Sequence, residues 1–221
     1  MKFNQLKYTA SLLLISVLCL LPLSACSKSK SVTATTVAQT SAKQSKYVRC
    51  DEASNLVMLK MADGSEIVME LAEDKAPITT DNFKKLVKDK FYNNLTFHRA
   101  VPGFVIQGGD PNGNGTGGAK ETITGEFADN GVKNDLADNH ERGVVSMARN
   151  ATSMDSASSQ FFIVLASNSN VAASLNGKYA AFAKVIDGMD VVDAIANLET
   201  ENQMIKVQPK IQEAYFVKRN A

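Results

Sequence analysis

The strongest constraint in this chain is a succession of short strand-like runs that follow one another with little helix between them. Leu56 to Met61 and Ile67 to Leu71 alternate in the manner of strands, and Ala62-Asp63-Gly64-Ser65 joins them. The pair reads as a β-hairpin whose Asp-Gly step supplies the φ > 0 positions of a tight turn. Further runs span Thr96 to Val101, Phe104 to Gln107, Val144 to Met147, Phe161 to Leu165, Ala181 to Ile186 and Ile211 to Val217, separated by glycine-rich loops. Only two stretches carry a helical period. Pro77 opens the first, with Phe83, Leu86, Val87 and Phe91 on one face, Asp81 in the first turn and Lys84, Lys85, Lys88 and Lys90 toward the end. The second is Met189 to Leu198, where Met189, Val192 and Ile195 or Ala196 share a face. Eight strands and two helices, mostly strand next to strand, argue against alternating βαβ units and for a closed antiparallel β-barrel capped by the helices.

The N-terminus has a different character. Lys2 and Lys7 precede the apolar run Leu12 to Leu21, which is too short for a span that needs ~20 residues and fits the core of a signal peptide. Leu23-Ser24-Ala25-Cys26 follows and resembles the lipobox of bacterial lipoproteins. That resemblance implies cleavage after residue 25 and acylation of Cys26, hence a lipid anchor on the extracytoplasmic face of the cell membrane. Residues 27–46 (SKSKSVTATTVAQTSAKQSK) are rich in Ser, Thr, Ala and Lys, contain no acid and bury no apolar face, so they read as a flexible tether. The expected organisation is a signal peptide over 1–25, the lipidated Cys26 with its tether over 26–46, and one domain over 47–221.

Charge and cysteine content narrow the function. The chain of 221 residues has 24 Lys+Arg against 23 Asp+Glu, with no basic run longer than two, so the footprint of a nucleic-acid binder is absent. Processing would remove Cys19 and lipidate Cys26, leaving Cys50 alone and no intramolecular disulfide. A domain of ~175 residues is long enough to be stabilised by a single core. The two histidines, His98 and His140, are far apart in sequence, which speaks against a zinc site. No G-x-S-x-G elbow marks a serine hydrolase. No cofactor is expected.

The loop from Gly108 to Glu121 satisfies two motifs by letter. Gly113-x-Gly115-x-x-Gly118 matches a dinucleotide fingerprint, but Thr122-Ile123-Thr124-Gly125 does not open the helix that motif requires. Asp110-x-Asn112-x-Asn114-Gly115-x5-Glu121 matches a calcium-binding EF-hand loop, yet the residues before it are strand-like and cannot form the entering helix. A glycine loop without either ligand is the preferred reading.

Three blocks around this loop point elsewhere. Phe97-His98-Arg99-Ala100-Val101-Pro102-Gly103-Phe104-Val105-Ile106-Gln107-Gly108-Gly109-Asp110 is similar to the signature of the cyclophilins, peptidyl-prolyl cis-trans isomerases. Gly143 to Arg149 leading to Ser158-Ser159-Gln160-Phe161-Phe162-Ile163, and Leu175 to Phe182 leading to Val185 to Met189, agree in the same order. The resemblance runs from about Leu56 to Val217 and implies an eight-stranded barrel capped by two helices, in accord with the periodicity. It implies Arg99, His98, Gln107 and Phe104 as catalytic residues. Substrate would be bound by Val105, Ala148, Arg149, Asn150, Gln160, Phe162, Leu175, Tyr179, Ser174 and Gly115.

Departures from the family pattern are equally specific. Ser174 stands where the best-known members carry a tryptophan, and the chain has no Trp at all; weakened cyclosporin binding with catalysis retained is expected. Tyr179 replaces a histidine, and Arg149 replaces an asparagine and adds positive charge beside the groove. The implied function is isomerisation of X-Pro bonds in exported or unfolded polypeptides by a monomer without a covalent intermediate. The alternative is a peptide-binding holdase on the same scaffold with little isomerase activity.

Overall fold

The computed structural model describes residues 45–220. The signal segment, Cys26 and nearly all of the tether lie outside the described residues. In chain order the elements are β1 (Tyr47–Arg49), β2 (Leu56–Met61), β3 (Glu66–Leu71), α1 (Pro77–Lys88), β4 (Thr96–Val101), β5 (Val105–Asp110), a 3-10 turn (Ala128–Asn130), β6 (Val144–Met147), β7 (Phe161–Val164), α2 (Ser169–Leu175), β8 (Ala181–Asp187), α3 (Met189–Ala196), β9 (Thr200–Glu201), β10 (Met204–Ile205) and β11 (Ile211–Arg219).

All eight expected strands are present, but the sheet contains three more. β1, β9 and β10 have three, two and two residues, too few to show a period of two. The sheet is antiparallel throughout, in the order β1-β11-β2-β3-β8-β6-β7-β5-β4-β10-β9. The expected closed eight-stranded barrel is therefore corrected to an eleven-stranded sheet whose edge strands β1 and β9 are not joined by a ladder. One isolated bridge, Thr96 to Lys210, ties the start of β4 to the residue before β11.

The β2–β3 turn forms as the Asp-Gly step implies, with Gly64 at φ +87. Asp63 itself does not take a positive φ; its Oδ1 accepts the Ser65 N–H at 2.9 Å instead. β2 is buried on both faces. Val57, Leu59 and Met61 enter the main core, while Leu56 and Met58 pack with Val68 and Val217 under Tyr47, Tyr215 and Ile186.

Helix α1 begins at Pro77, where the missing N–H is no loss. Asp81 does not lie in the first turn. The free N–H groups of Ile78 and Thr79 are taken by the carboxylate of Glu126, at 3.0 and 2.8 Å, from a loop far along the chain. Glu126 is buried, and these bonds with the helix dipole compensate its charge. The helix ends before Lys90, whose φ of +59 breaks the spiral, so Phe91 falls beyond the helix. Phe83 is the centre of an aromatic cluster, with ring centroids 4.9 Å from Tyr92 and from Phe182 and 5.9 Å from Phe161. Burying each such side chain contributes ~1.5–3 kcal/mol.

A third helix, α2, is absent from the sequence expectation. Its seven residues bury only Val171 and Leu175, and its start is marked by Asn168, whose side chain accepts the N–H groups of Asn170 and Val171.

Candidate active site

The site is built on neighbouring strands β6, β7, β5 and β4. The pairing of β4 with β5 contains two opposed irregularities: Thr96 faces Asp110, Phe97 faces Gly108 and Arg99 faces Gln107, so Gly109 and His98 are skipped. Each is a one-residue bulge, a device that re-aims the side chains beside it. Gly109 is required there, because its φ is +81 and a Cβ would meet the Ser159 carbonyl at 2.5 Å. The bulges leave Arg99 directly opposite Gln107 and both on the rim of a cavity.

That cavity, of about 220 Å³, is lined by Arg99, Phe104, Val105, Gln107, Ala148, Arg149, Phe162, Ser174, Leu175 and Tyr179. Val105, Phe162 and Leu175 form a buried apolar floor, and Tyr179 stands edge-on to Phe162 at 5.4 Å. A second cavity of about 350 Å³ shares Gln107, Ala148 and Arg149 with the first and adds Gly115, Asn150 and Gln160 among its walls. All the residues named from sequence as catalytic or substrate-binding are thus brought together except one. His98, expected beside Arg99 in the site, is only 1% exposed and lines neither cavity. It is the extra residue of the bulge, and its ring lies near Gly115, with Nε2 3.9 Å from where a Cβ on that glycine would stand. Burial lowers its pKa, opposed by Asp110 and aided by Arg99, so it sits as a neutral ring.

A hydrogen-bond relay crosses the two cavities. Arg99 Nη1 donates to Gln107 Oε1 at 3.3 Å, Gln107 Nε2 to Gln160 Oε1 at 2.8 Å, and Gln160 Nε2 to the carbonyls of Gly115 and Gly117 at 3.1 and 2.7 Å. Burial also lowers the Arg99 pKa, opposed by Tyr179, but a guanidinium keeps its charge. Arg149 is held differently: its guanidinium lies over the rings of Tyr179 and Phe127, 5.1 and 5.3 Å from their centroids, with Nε donating to the Lys178 carbonyl. Three of the chain's five arginines, Arg49, Arg142 and Arg219, have a carboxylate partner. Arg99 and Arg149 have none among the described residues.

The glycine loop is ordered by its own acid. Asp110 is buried, and its carboxylate accepts the N–H groups of Asn112, Asn114 and Gly115 at 2.8, 3.1 and 2.5 Å. These bonds order the loop around its first acid, and β5 rather than the helix that an EF-hand requires enters it. A Cβ at Gly117 would collide with the same carboxylate. No helix follows Gly118 before Ala128, so the dinucleotide motif also lacks its context.

Two residues that contact the site residues from outside the cavities are not apparent from sequence. Gln203, in the turn between β9 and β10, accepts from Arg99 Nε and Nη2 at 3.0 and 2.6 Å. His140 lies stacked behind Phe162, centroids 6.3 Å apart at 22°. Its Nε2 is 2.8 Å from Ser146 Oγ and its Nδ1 3.2 Å from Asn176 Oδ1. As the amide oxygen only accepts, Nδ1 carries the proton. Burial drives its pKa down to about 4, the Asn176 bond opposing.

Known proteins give this arrangement a family. The family model described as cyclophilin type peptidyl-prolyl cis-trans isomerase matches residues 56–216. A peptidyl-prolyl cis-trans isomerase of Acinetobacter baylyi is 44% identical over 162 residues, covering 71% of this chain and 82% of that protein. Peptidyl-prolyl cis-trans isomerase B of Bacillus subtilis is 42% identical, covering 62% of this chain and 87% of its own length. A Cryptosporidium parvum cyclophilin-type isomerase, whose crystal structure was determined in the presence of the dipeptide Ala-Pro, superposes with a TM-score of 0.64 at 29% identity over 75% of this chain and 99% of that one. With the family model spanning most of its length and the site strands lying inside the match, the chain belongs to the cyclophilin-type peptidyl-prolyl cis-trans isomerases.

Proposed function

We propose that this isomerase accelerates X-Pro rotation by seating the proline ring on Phe104, Val105, Phe162 and Leu175 and presenting Arg99 to the prolyl nitrogen. Rotation has a barrier of ~18–20 kcal/mol because the twisted amide loses its resonance. In that twisted state the nitrogen lone pair localises and accepts a hydrogen bond that it refuses in the planar ground state. A fixed cationic donor therefore stabilises the transition state selectively, and no bond is made or broken. The observation that carries this reading is the guanidinium of Arg99, without a carboxylate partner among the described residues, on the rim of an apolar cavity. Gln107 orients it. Ala148, Arg149, Asn150, Gln160 and Gly115 flank the path of the substrate main chain, and Ser174 and Tyr179 form the rim. The Ala-Pro dipeptide used with the Cryptosporidium relative supports a proline-containing ligand.

The test is the cis-to-trans rate of an Ala-Pro peptide. The wild type should accelerate exchange and Arg99→Ala should lose roughly a hundredfold, equivalent to about 2.7 kcal/mol. Equal accelerated rates for the two proteins would overturn the role of Arg99, and a wild type that binds unfolded chains without accelerating exchange would favour the holdase reading instead.

The lipobox-like Leu23-Ser24-Ala25-Cys26 supports export, acylation of Cys26 and anchoring on the extracytoplasmic face, where a monomeric enzyme would meet newly exported clients. Mass spectrometry of the mature N-terminus should find residues 1–25 removed and Cys26 acylated; an intact Met1 refutes the anchor.

A further inference from the structure

The β9–β10 hairpin is joined by only two residues, Asn202 and Gln203, since Glu201 pairs with Met204 and Thr200 with Ile205. Both have positive φ, +50 and +70. A two-residue turn of this kind favours Asn followed by Gly, because a side chain at the second position clashes with the backbone. Asn202 fits that preference and Gln203 does not. Backbone strain of this sort persists where the surrounding structure uses the side chain.

The side chain at that position has one set of contacts, and they are on the reactive group. Gln203 Oε1 accepts from both Nε and Nη2 of Arg99, at 3.0 and 2.6 Å. The main chain of the same residue takes the N–H of Ala100 at 3.0 Å, and Met204 pairs with Arg99 across the strands. A guanidinium has five N–H donors. Gln203 uses two of them and Gln107 one, so two remain, on a group whose plane is fixed from two sides. We infer that Gln203 is a positioning residue, clamping the Arg99 guanidinium in the orientation that meets the twisted prolyl nitrogen.

This inference rests on the reading of Arg99 as the donor, and the experiment separates the two. Gln203→Gly relieves the strained φ, and Gln203→Asn keeps a residue that tolerates positive φ but is one methylene too short to reach Arg99. Both should leave peptide affinity, read by chemical-shift titration, within about twofold of wild type and should not lower the thermal midpoint. Both should reduce kcat for an Ala-Pro peptide about tenfold, since a small misplacement of a catalytic group costs one to two decades. Combined with Arg99→Ala, Gln203→Asn should cause no further loss. Wild-type kcat in both single variants, or an equal loss on top of Arg99→Ala, overturns the positioning role while leaving Arg99 untouched. An Arg99→Ala protein with the wild-type rate defeats the reading of Arg99 itself.

Discussion

Ser174 is a small side chain at the edge of the cavity, its hydroxyl donating to the Asn170 carbonyl one turn back at 2.8 Å. A large ring there would extend the apolar wall of Phe162 and Leu175 toward a bulky cyclic ligand and supply an indole N–H. Ser174→Trp should therefore tighten cyclosporin binding by at least about tenfold, worth ~1.4 kcal/mol, with little effect on Ala-Pro isomerisation. Isothermal titration of the two proteins checks this, and an unchanged affinity would count against the rim argument. The residues of the site differ in how far they can be read without a structure. Arg99, Phe104 and Gln107 lie within one continuous block, so their company is visible along the chain. Gln203 lies 104 residues from the arginine it touches, in a turn whose sequence lacks the usual glycine, and nothing local reveals it. His98 illustrates a different limit: it is adjacent to Arg99 in sequence, but a one-residue bulge, which the sequence does not announce, leaves it buried rather than on the cavity rim.

At the scale of elements, long apolar runs are legible and short ones are not. The eight strands of four residues or more each have a composition that marks them, whereas β1, β9 and β10 exist only through their partners. Helix α2 is too short to display an amphipathic face, although its cap at Asn168 is a local signal that a polar Ser-Asn-Ser-Asn stretch conceals. The helix also depends on a distant anchor. Asn176, just after α2, accepts the backbone N–H of His140 at 2.9 Å, and the ring of His140 backs Phe162. The folded protein holds His140 as a neutral ring with its pKa pushed down to about 4, below the ordinary value of about 6.5. Between those two values the unfolded chain binds the extra proton and the folded one does not. The contribution to stability is thus complete above pH ~6.5 and is lost progressively as pH falls through 4, to an extent of ~3 kcal/mol. His98, also lowered, acts in the same direction. The thermal midpoint should fall between pH 7 and 4.5, and His140→Gln should flatten that fall; the full wild-type slope in the variant would refute the assignment.

For the whole molecule, the antiparallel succession of strands follows from the near absence of intervening helices, but the manner in which the sheet ends does not. Alternation identifies which residues are buried, not whether the last strand reaches the first. Here the start of β4 meets the chain before β11 through one bridge, and β1 and β9 remain as short edges. The same pairing scheme has a consequence for how the domain can be handled. β1 lies against β11, with the Asn220 N–H bonded to the Lys46 carbonyl at 2.8 Å, so the first and last described residues lie side by side. The strands that carry Arg99, Gln107 and Phe162 are several places away in sheet order. A short peptide would join the two ends, making the domain a natural subject for circular permutation, and a partner domain fused at either end would leave the strand order around the cavity intact.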